Sequence, residues 1–555
     1  MIKIRIRIKM RKMYILLKLF YFLIASNILV IFYFQQYSRN NIVPGKGLLL
    51  GWDSPRYVWQ ALGVISFGPQ YLIEVWGYTH FYVLLLATVG YLLNNVILAE
   101  VLLPLILGIL LLYLLFEYAK LLFDNVHFAG LTIILIPFSL NFLRILADLH
   151  RNLMALNLIY IGFLLLLKYY NSYKMKYVIT LFVVAIILAG TQIETYAIFS
   201  ATIIFFLLFL WDIKSLKQLI WCIVLPPIII FLLVPHFFFS YLTISSGWEW
   251  KIYTEKVLQN IIITWCGGSF PLVILKLVGS LYLVVKSIKE SKSALLLITW
   301  VFILILPLIL YTLRIFPLPG GFIERALILL PTPMLEISAI NLLYEIQKNI
   351  LKILNNSALR KIIKTFLLSI IIFVFCYTLL TSFTLSNSQV KYWYTPYIPR
   401  SAYNKILIAT NYLKSLGYSQ YPPIFIFYGD PGYWFAELYR YYIGIQIGEH
   451  FAYYGKLEDL LALRISEPSS RDPQIQNKER VLAYGFMAEL KGDSLSVYRH
   501  KIYIKQASDI LNYNIVIIKP EFYSYTIPKN FEQYKVSEGI YIIPPKALVS
   551  FHHDE

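Results

Sequence analysis

Charged residues are scarce in this 555-residue chain: Asp, Glu, Lys and Arg make up 14%, against 59% hydrophobic residues, and mean hydropathy is +0.66. So little polar surface cannot cover a soluble core, which excludes an ordinary soluble protein and makes a bilayer the solvent. In/out alternation is also missing. The Leu/Ile/Phe runs are continuous, which excludes the strands of an outer-membrane barrel and implies helices of about 20 residues across a hydrocarbon core of about 30 Å. There are three cysteines: Cys222 and Cys376 lie inside apolar runs and Cys266 falls in an outer loop, which excludes an outward disulfide framework. The basic start lacks a small-x-small cleavage site, so Met13 to Phe34 reads as an uncleaved signal anchor.

Acid is scarcer than base, 30 residues against 49, and the formal charge is +19. The positions of the cations argue against a nucleic-acid partner. Six of them (Lys3, Arg5, Arg7, Lys9, Arg11, Lys12) precede the first span. Others, including Lys168, Lys174, Lys176, Lys214, Lys217, Lys286, Lys289, Lys292, Lys348, Lys352 and Arg360, fall in alternate short loops, as the positive-inside rule requires. The chain is therefore expected to be a polytopic α-helical membrane protein of about 11 spans with a cytoplasmic N-terminus.

Two regions follow, a membrane domain over 1–385 and an extracytoplasmic domain over 386–555. Span 1 delivers a large first outer loop, 35–95, whose last part, His80 to Leu93, is too short to span and reads as a membrane-surface helix. Later spans are expected at Val96 to Tyr118, Phe128 to Leu140 and Leu153 to Leu167. A hairpin pair then turns around Gly190 to Glu194, the seventh span covers Leu219 to Phe239, the eighth and ninth flank Lys286 to Lys292, the ninth and tenth flank Pro317 to Arg325, and the last covers Thr365 to Phe383. Beyond Ser386 the composition turns polar. The apolar runs Pro423 to Tyr428, Asn514 to Lys519 and Gly539 to Ile543 read as buried strands beside a helix at Tyr403 to Leu416, which together suggest a small α/β domain.

Ionisable residues at the outer ends carry the chemical signal. In the first loop, Gly51-Trp52-Asp53-Ser54-Pro55-Arg56-Tyr57 sets a carboxylate before a proline-started helix, where Asp53 or Ser54 can equally be a helix cap. The next outer end reads Asn141 to Asn152. In one continuous helix Arg144, Asp148 and Arg151 share a face, either as a structural ion-pair network or as the wall of a water-filled cavity. Glu194 lies at the almost loopless hairpin. Arg325, in Gly320-Gly321-Phe322-Ile323-Glu324-Arg325, opens an inward span, where a cation is least favoured unless it meets an anion. A hairpin-turn Glu194 and a snorkelling Arg325 are the plain alternatives. In the C-terminal region, Tyr428-Gly429-Asp430-Pro431-Gly432 follows a strand and reads as a turn or as a ligand-binding strand end.

This pattern resembles the GT-C class of integral-membrane glycosyltransferases, which take a sugar from a polyprenyl-phosphate carrier. The likeness rests on the basic start, the acidic first outer loop (Asp53), the surface helix after it, the Asp148/Arg151 second loop, and the Arg325-then-apolar-then-Pro331 opening of a late span. The resemblance implies that Asp53 is the catalytic carboxylate, with Asp148 beside it. Arg151 and Arg325, with Arg144, would clamp the lipid phosphate, and His150, Glu194 and His80 would bind substrate. A divalent cation held by Asp53, Asp148 and His150 is compatible with the resemblance, but no compact metal-ligand motif is present, and the cofactor stays open. The implied partners are a polyprenyl-phosphate-linked sugar, a protein, glycan or lipid acceptor, and membrane lipids. The oligosaccharyltransferase branch carries a W-W-D-x-G-type motif that is absent here, and Trp393-Tyr394-Thr395-Pro396 does not replace it, which argues against peptide-Asn glycosylation. A transporter or lipid flippase, suggested by Pro226-Pro227 and Pro307, and a non-catalytic surface assembly protein are the rival readings.

Overall fold

The computed structural model describes residues 2–45, 48–51, 54–70, 72, 81–233, 270–288, 291–312 and 332–353, separate helical positions between 359 and 415, and strands and turns between 423 and 543. Outside the described residues lie Trp52, Asp53, His80, Arg325, the loop 240–269 with Cys266, the turn 428–434 and most of the expected last span. The chain divides into two compact units, one of Met1–Asn41, Tyr78–Tyr82 and Val101–Thr395, the other of Ile42–Gly77, Val83–Glu100 and Pro396–Glu555.

Helices build the first unit, beginning with α1 (Ile2–Arg39), whose 38 residues run about 57 Å, far beyond a hydrocarbon core of about 30 Å. Next in the chain come α2 (Ser54–Phe67), which opens on Ser54-Pro55 as expected and belongs to the second unit, α3 (Phe81–Leu92), of which Phe81 and Tyr82 belong to the first, and α4 (Val96–Phe123), in the first unit from Val101. The 12 residues of α3 extend only about 18 Å, too short to cross a hydrocarbon core of about 30 Å. A turn at Asp124, with Asn125 accepting from the backbone N–H groups of His127 and Phe128 at 2.9 and 3.3 Å, starts α5 (Val126–Leu135). Here the expected single span is corrected. Pro137 tightens the chain into one 3₁₀ turn, Ile136–Phe138, and a separate short helix, α6 (Leu140–Asp148), follows.

The bundle continues with α7 (His150–Ser172), α8 (Met175–Thr191), α9 (Ile193–Phe209), α10 (Ile213–Leu233), α11 (Phe270–Ile288), α12 (Lys292–Thr312) and α13 (Thr332–Ile353). Four of the described helical segments are long and apolar enough to cross a membrane alone: Met13–Arg39, Val96–Phe123, His150–Ser172 and Ile213–Leu233. The chain is a multi-pass membrane protein. Its interior is aromatic, with Phe163 stacked on Phe199 at 5.7 Å and edge-on to Trp300 at 5.6 Å.

Two features fix the bundle where hydropathy alone does not. The first is the Pro226-Pro227 pair inside α10, which removes the N–H groups that would bond the carbonyls of Cys222 and Ile223, four residues earlier. The Tyr196 hydroxyl, from α9, meets both orphaned carbonyls, at 3.2 and 2.5 Å. Tyr196→Phe should cost about 1–3 kcal/mol by opening two buried acceptors. Thermal unfolding in detergent checks this: the midpoint should fall in Tyr196→Phe and partly recover when Pro226→Ala returns one N–H to Cys222.

The second is the seam between α11 and α13. Lys276 Nζ lies 2.9 Å from Glu336 Oε1, with side chains only 6% and 5% exposed. Three residues on, Gly279 sits so close to α13 that a Cβ there would come within 2.2 Å of the Ser338 carbonyl oxygen. Further along, Lys286 Nζ donates to Glu345 at 2.9 Å, to Asn341 Oδ1 at 3.0 Å and to the Leu122 carbonyl at 3.2 Å, matching the three hydrogens of an ammonium with three acceptors. Lys286 was expected in a loop. It belongs instead to the last turn of α11, where it joins the last turn of α4 to the middle of α13.

In the second unit the strands β1 (Pro423–Phe427), β2 (Phe451–Tyr454), β3 (Arg480–Ala483), β4 (Phe486–Lys491), β5 (Ser494–Val497), β6 (Tyr503–Ile504), β7 (Asn514–Ile518), β8 (Lys535–Ser537) and β9 (Ile540–Ile543) form one sheet in the order β6-β5-β4-β3-β2-β1-β7-β9-β8. Among the described strands only β1 pairs in parallel, with β2 on one side and β7 on the other; the remaining described pairings are antiparallel. In the same unit, Asn95 holds the Gly45 carbonyl at 3.2 Å and caps the Leu98 N–H at 2.9 Å, fixing the chain ahead of α4.

Candidate active site

Four helix ends of the first unit converge: the starts of α3, α7 and α9 and the end of α8. A break of one residue separates α6 from α7, because Leu149 takes φ −96°, ψ 50°. This corrects the expected shared face. Arg144 and Asp148 lie on α6 and Arg151 on α7, so the i, i+4, i+7 register that would align them is interrupted between the second and the third.

His150, at the break, is 1% exposed. Its Nε2 lies 3.1 Å from the Leu146 carbonyl, which can only accept, so Nε2 carries the proton and donates. Nδ1 then accepts from the Tyr82 hydroxyl at 3.2 Å. The ring is a brace that satisfies one of the last carbonyls of α6 and ties α3 to α7. With both nitrogens engaged, His150 does not fit the role of a metal ligand. Among the described residues, no three His, Cys, Asp or Glu side chains come together in a group that could hold a metal ion.

Arg151, one residue on, points at the opposite end of the next helix pair. Its Nε and Nη2 both donate to the carbonyl of Thr191, at 3.3 and 3.1 Å. Thr191 ends α8, so the guanidinium caps an orphaned carbonyl at the negative end of that helix dipole. The chain then reverses through a single extended residue, Gln192 (φ −159°, ψ 102°), and Glu194 falls in the first turn of α9, where a carboxylate suits the positive helix end. Gly190 permits this turn: a Cβ there would come within 2.2 Å of the Phe81 ring, whose neighbour Tyr82 bonds His150.

The structure thus brings His150, Arg151 and the Glu194 helix start to one end of the bundle, beside Phe81 and Tyr82, the first two residues of α3. Arg144 is half-buried on α6, and Asp148 is the last residue of that helix. Asp53, His80 and Arg325 lie outside the described residues. The sequence reading missed the buried ionisable residues Lys276, Glu336 and Glu345, because the first two stand alone in apolar runs, the third sits in a polar stretch that reads as surface, and all three find their partners only by packing.

No family model matches the sequence, and no curated protein matches it. Solved structures do match. The Archaeoglobus fulgidus oligosaccharyltransferase, solved in complex with Zn and sulfate, superposes with a TM-score of 0.51 at 12% identity, over 76% of this chain and 61% of that one. A second structure, the archaeal oligosaccharyltransferase AglB from the same organism with an inhibitory peptide and a dolichol-phosphate, has a TM-score of 0.46 at 11% identity over 76% and 63% of the two chains. ArnT from Cupriavidus metallidurans, in the apo state, also scores 0.46 at 11% identity, covering 74% of this chain and 82% of its own. The chain spans less than two thirds of the oligosaccharyltransferase in the first match, and identity this low speaks for architecture alone. This protein shares the fold of the Archaeoglobus fulgidus oligosaccharyltransferase, the kind of architecture the sequence resemblance led us to expect.

Proposed function

We propose that the chain is a membrane glycosyltransferase that moves a sugar from a polyprenyl-phosphate-linked donor to an acceptor on the outer face of the membrane. The N-terminus is then cytoplasmic, and residues 386–555 form an extracytoplasmic domain beyond a membrane domain over 1–385. The fold likeness carries this reading. The convergence of Arg151 and the Glu194 helix start at one end of the bundle supports it, as does the Tyr196 clasp: the two carbonyls that Pro226 and Pro227 expose already have a donor, which weakens the broken-helix transporter reading.

In the proposed reaction Asp53 takes the proton of an acceptor hydroxyl as its oxygen attacks the anomeric carbon, with Asp148 orienting the acceptor. The bond from that carbon to the phosphate oxygen breaks on the opposite face, so configuration inverts. The lipid phosphate leaves as an anion neutralised by Arg151 and Arg325, with Arg144 adding positive potential and Glu194 and His80 contacting the sugar. His150 acts as a positioning residue through Arg151, its neighbour on α7. The missing W-W-D-x-G motif argues for an acceptor other than a peptide asparagine.

The test is Asp53→Asn in membranes supplied with lipid-linked sugar. Transfer should fall by at least about 100-fold, the lower bound of a lost general base, while the protein still extracts as a monodisperse species. Transfer at the wild-type rate would remove Asp53 from the mechanism.

A further inference from the structure

The end of the bundle opposite the candidate active site carries groups that the proposed reaction does not use. There the turn from α7 to α8 meets the turn from α9 to α10. Tyr170 donates to Asp212 and Tyr169 to Gln218, and Lys292 Nζ, at the start of α12, lies 4.5 Å from the centre of the Tyr170 ring. Asp212 is spent within this joint, its Oδ1 accepting from the Ser215 N–H at 2.9 Å and its Oδ2 from the Ser215 hydroxyl at 2.7 Å. It is the one acid in the stretches 168–177 and 208–218, against five exposed lysines: Lys168, Lys174, Lys176, Lys214 and Lys217. Among the described residues none of the five pairs with a carboxylate.

The positive-inside rule accounts for lysines at this end, but it says nothing of the residues that turn the chain. Each turn holds one residue in the left-handed conformation, Tyr173 at φ 51° and Trp211 at φ 52°. A Cβ there crowds the following carbonyl oxygen, so glycine, or a short Asn or Asp, is the ordinary choice. The turn from α4 to α5 lies at the same end, since Tyr118 of α4 donates to the carbonyl of Ser293, beside Lys292, at 2.7 Å. It follows the ordinary choice, with Asp124 at φ 49°. Tyr173 and Trp211 thus hold strained positions that glycine would fill more easily, and packing does not repay the strain. Trp211 is 87% exposed, more than any other large hydrophobic residue described, and Tyr173 is 61% exposed.

Exposed apolar and cationic side chains stand within a few residues of each other: Phe209, Trp211 and Ile213 before Lys214, and Tyr173 and Met175 beside Lys174. A soluble anion or an acidic protein would neutralise the lysines and leave the apolar side chains in water. A neutral lipid would cover the apolar side chains and leave the lysines without counter-charge. We propose that these two turns form a binding site for an anionic phospholipid, in which Lys174 and Lys214 hold the headgroup phosphate and the Tyr173 and Trp211 rings lie at headgroup level. The strained turns are then kept for contact with lipid. The site is separated from the candidate active site by the length of α7, about 35 Å.

Native mass spectrometry of the full chain in a neutral detergent tests this, with phosphatidylglycerol as the probe and phosphatidylcholine as the control. Phosphatidylglycerol should bind at least about tenfold more tightly than phosphatidylcholine, and Lys174→Gln/Lys214→Gln should weaken it roughly 25-fold, at about fivefold per lysine beside an anionic headgroup. No preference for phosphatidylglycerol, or one unchanged in the double variant, would overturn the proposal. Trp211→Gly separates lipid contact from folding. Without added lipid its unfolding midpoint should rise by about 2 °C, because glycine relieves the left-handed turn. With phosphatidylglycerol the wild type should gain more than the variant. A variant that unfolds below wild type without lipid, or that gains as much from phosphatidylglycerol, would show that the ring serves the fold and would also overturn the proposal. Neither measurement involves sugar transfer, so the lipid site and the proposed activity can fail separately.

Discussion

Lys276→Met is expected to destabilise the protein by about 3–5 kcal/mol, the cost of leaving a carboxylate buried without its counter-charge. Lys276 and Glu336 meet at 2.9 Å with almost no exposure on either side, so water cannot replace the lost partner on Oε1. The double variant Lys276→Met/Glu336→Leu should regain most of the loss, since two apolar side chains of similar volume need neither solvation nor pairing. Thermal unfolding of the purified protein in a single detergent reads the series: the single variant should unfold well below wild type, with the double variant near it. If the two variants lose equally, the pair contributes packing alone and its electrostatics are incidental.

Gly279→Ala should cost about 3 kcal/mol, although alanine is the better helix former by about 1 kcal/mol. The sign is the informative part. The added methyl would meet the backbone of α13, at 2.2 Å from the Ser338 oxygen and 2.6 Å from its carbon, and backbone cannot rotate away as a side-chain end can. The helices would have to separate, and the ion pairs at Lys276 and Lys286, on either side of Gly279, would lengthen together. Gly108→Ala is the control. Its nearest neighbours are the flexible ends of Leu146 and Leu29 at 3.2 Å, so its effect should stay within about 1 kcal/mol. Comparable losses at both positions would mean that the close approach of α11 and α13 is not what Gly279 serves.

Much of the bundle was legible because its signals are local. The shortness of α3, the opening of α2 at Ser54-Pro55 and the one-residue reversal at Gln192 follow from run length, proline and a polar interruption. The errors have a different origin. Lys286 looks like a loop cation because it ends an apolar run, and nothing within ten residues announces Asn341 and Glu345. Arg144, Asp148 and Arg151 looked aligned because a helical wheel has no term for a break at Leu149, which no proline or glycine marks. At the site, charge pattern put Arg151 and Glu194 at a common end of the bundle, and the structure brings them together there. It could not foresee that Arg151 caps Thr191 or that both nitrogens of His150 are engaged, since those partners come from elements folded onto them.

The ends of the β-sheet bear on how copies of this protein behave when crowded. An open sheet edge is a template on which another chain can continue the ladder. At one border lies β6, described at Tyr503–Ile504, and at the other β8 has three residues, with its register shifted between Lys535 and Ser537 and the Lys535 side chain 42% exposed. A strand arriving at β8 would find few backbone groups to bond, a kink in their spacing and a charge in its path. That border therefore resists fusion with the sheet of a neighbouring copy.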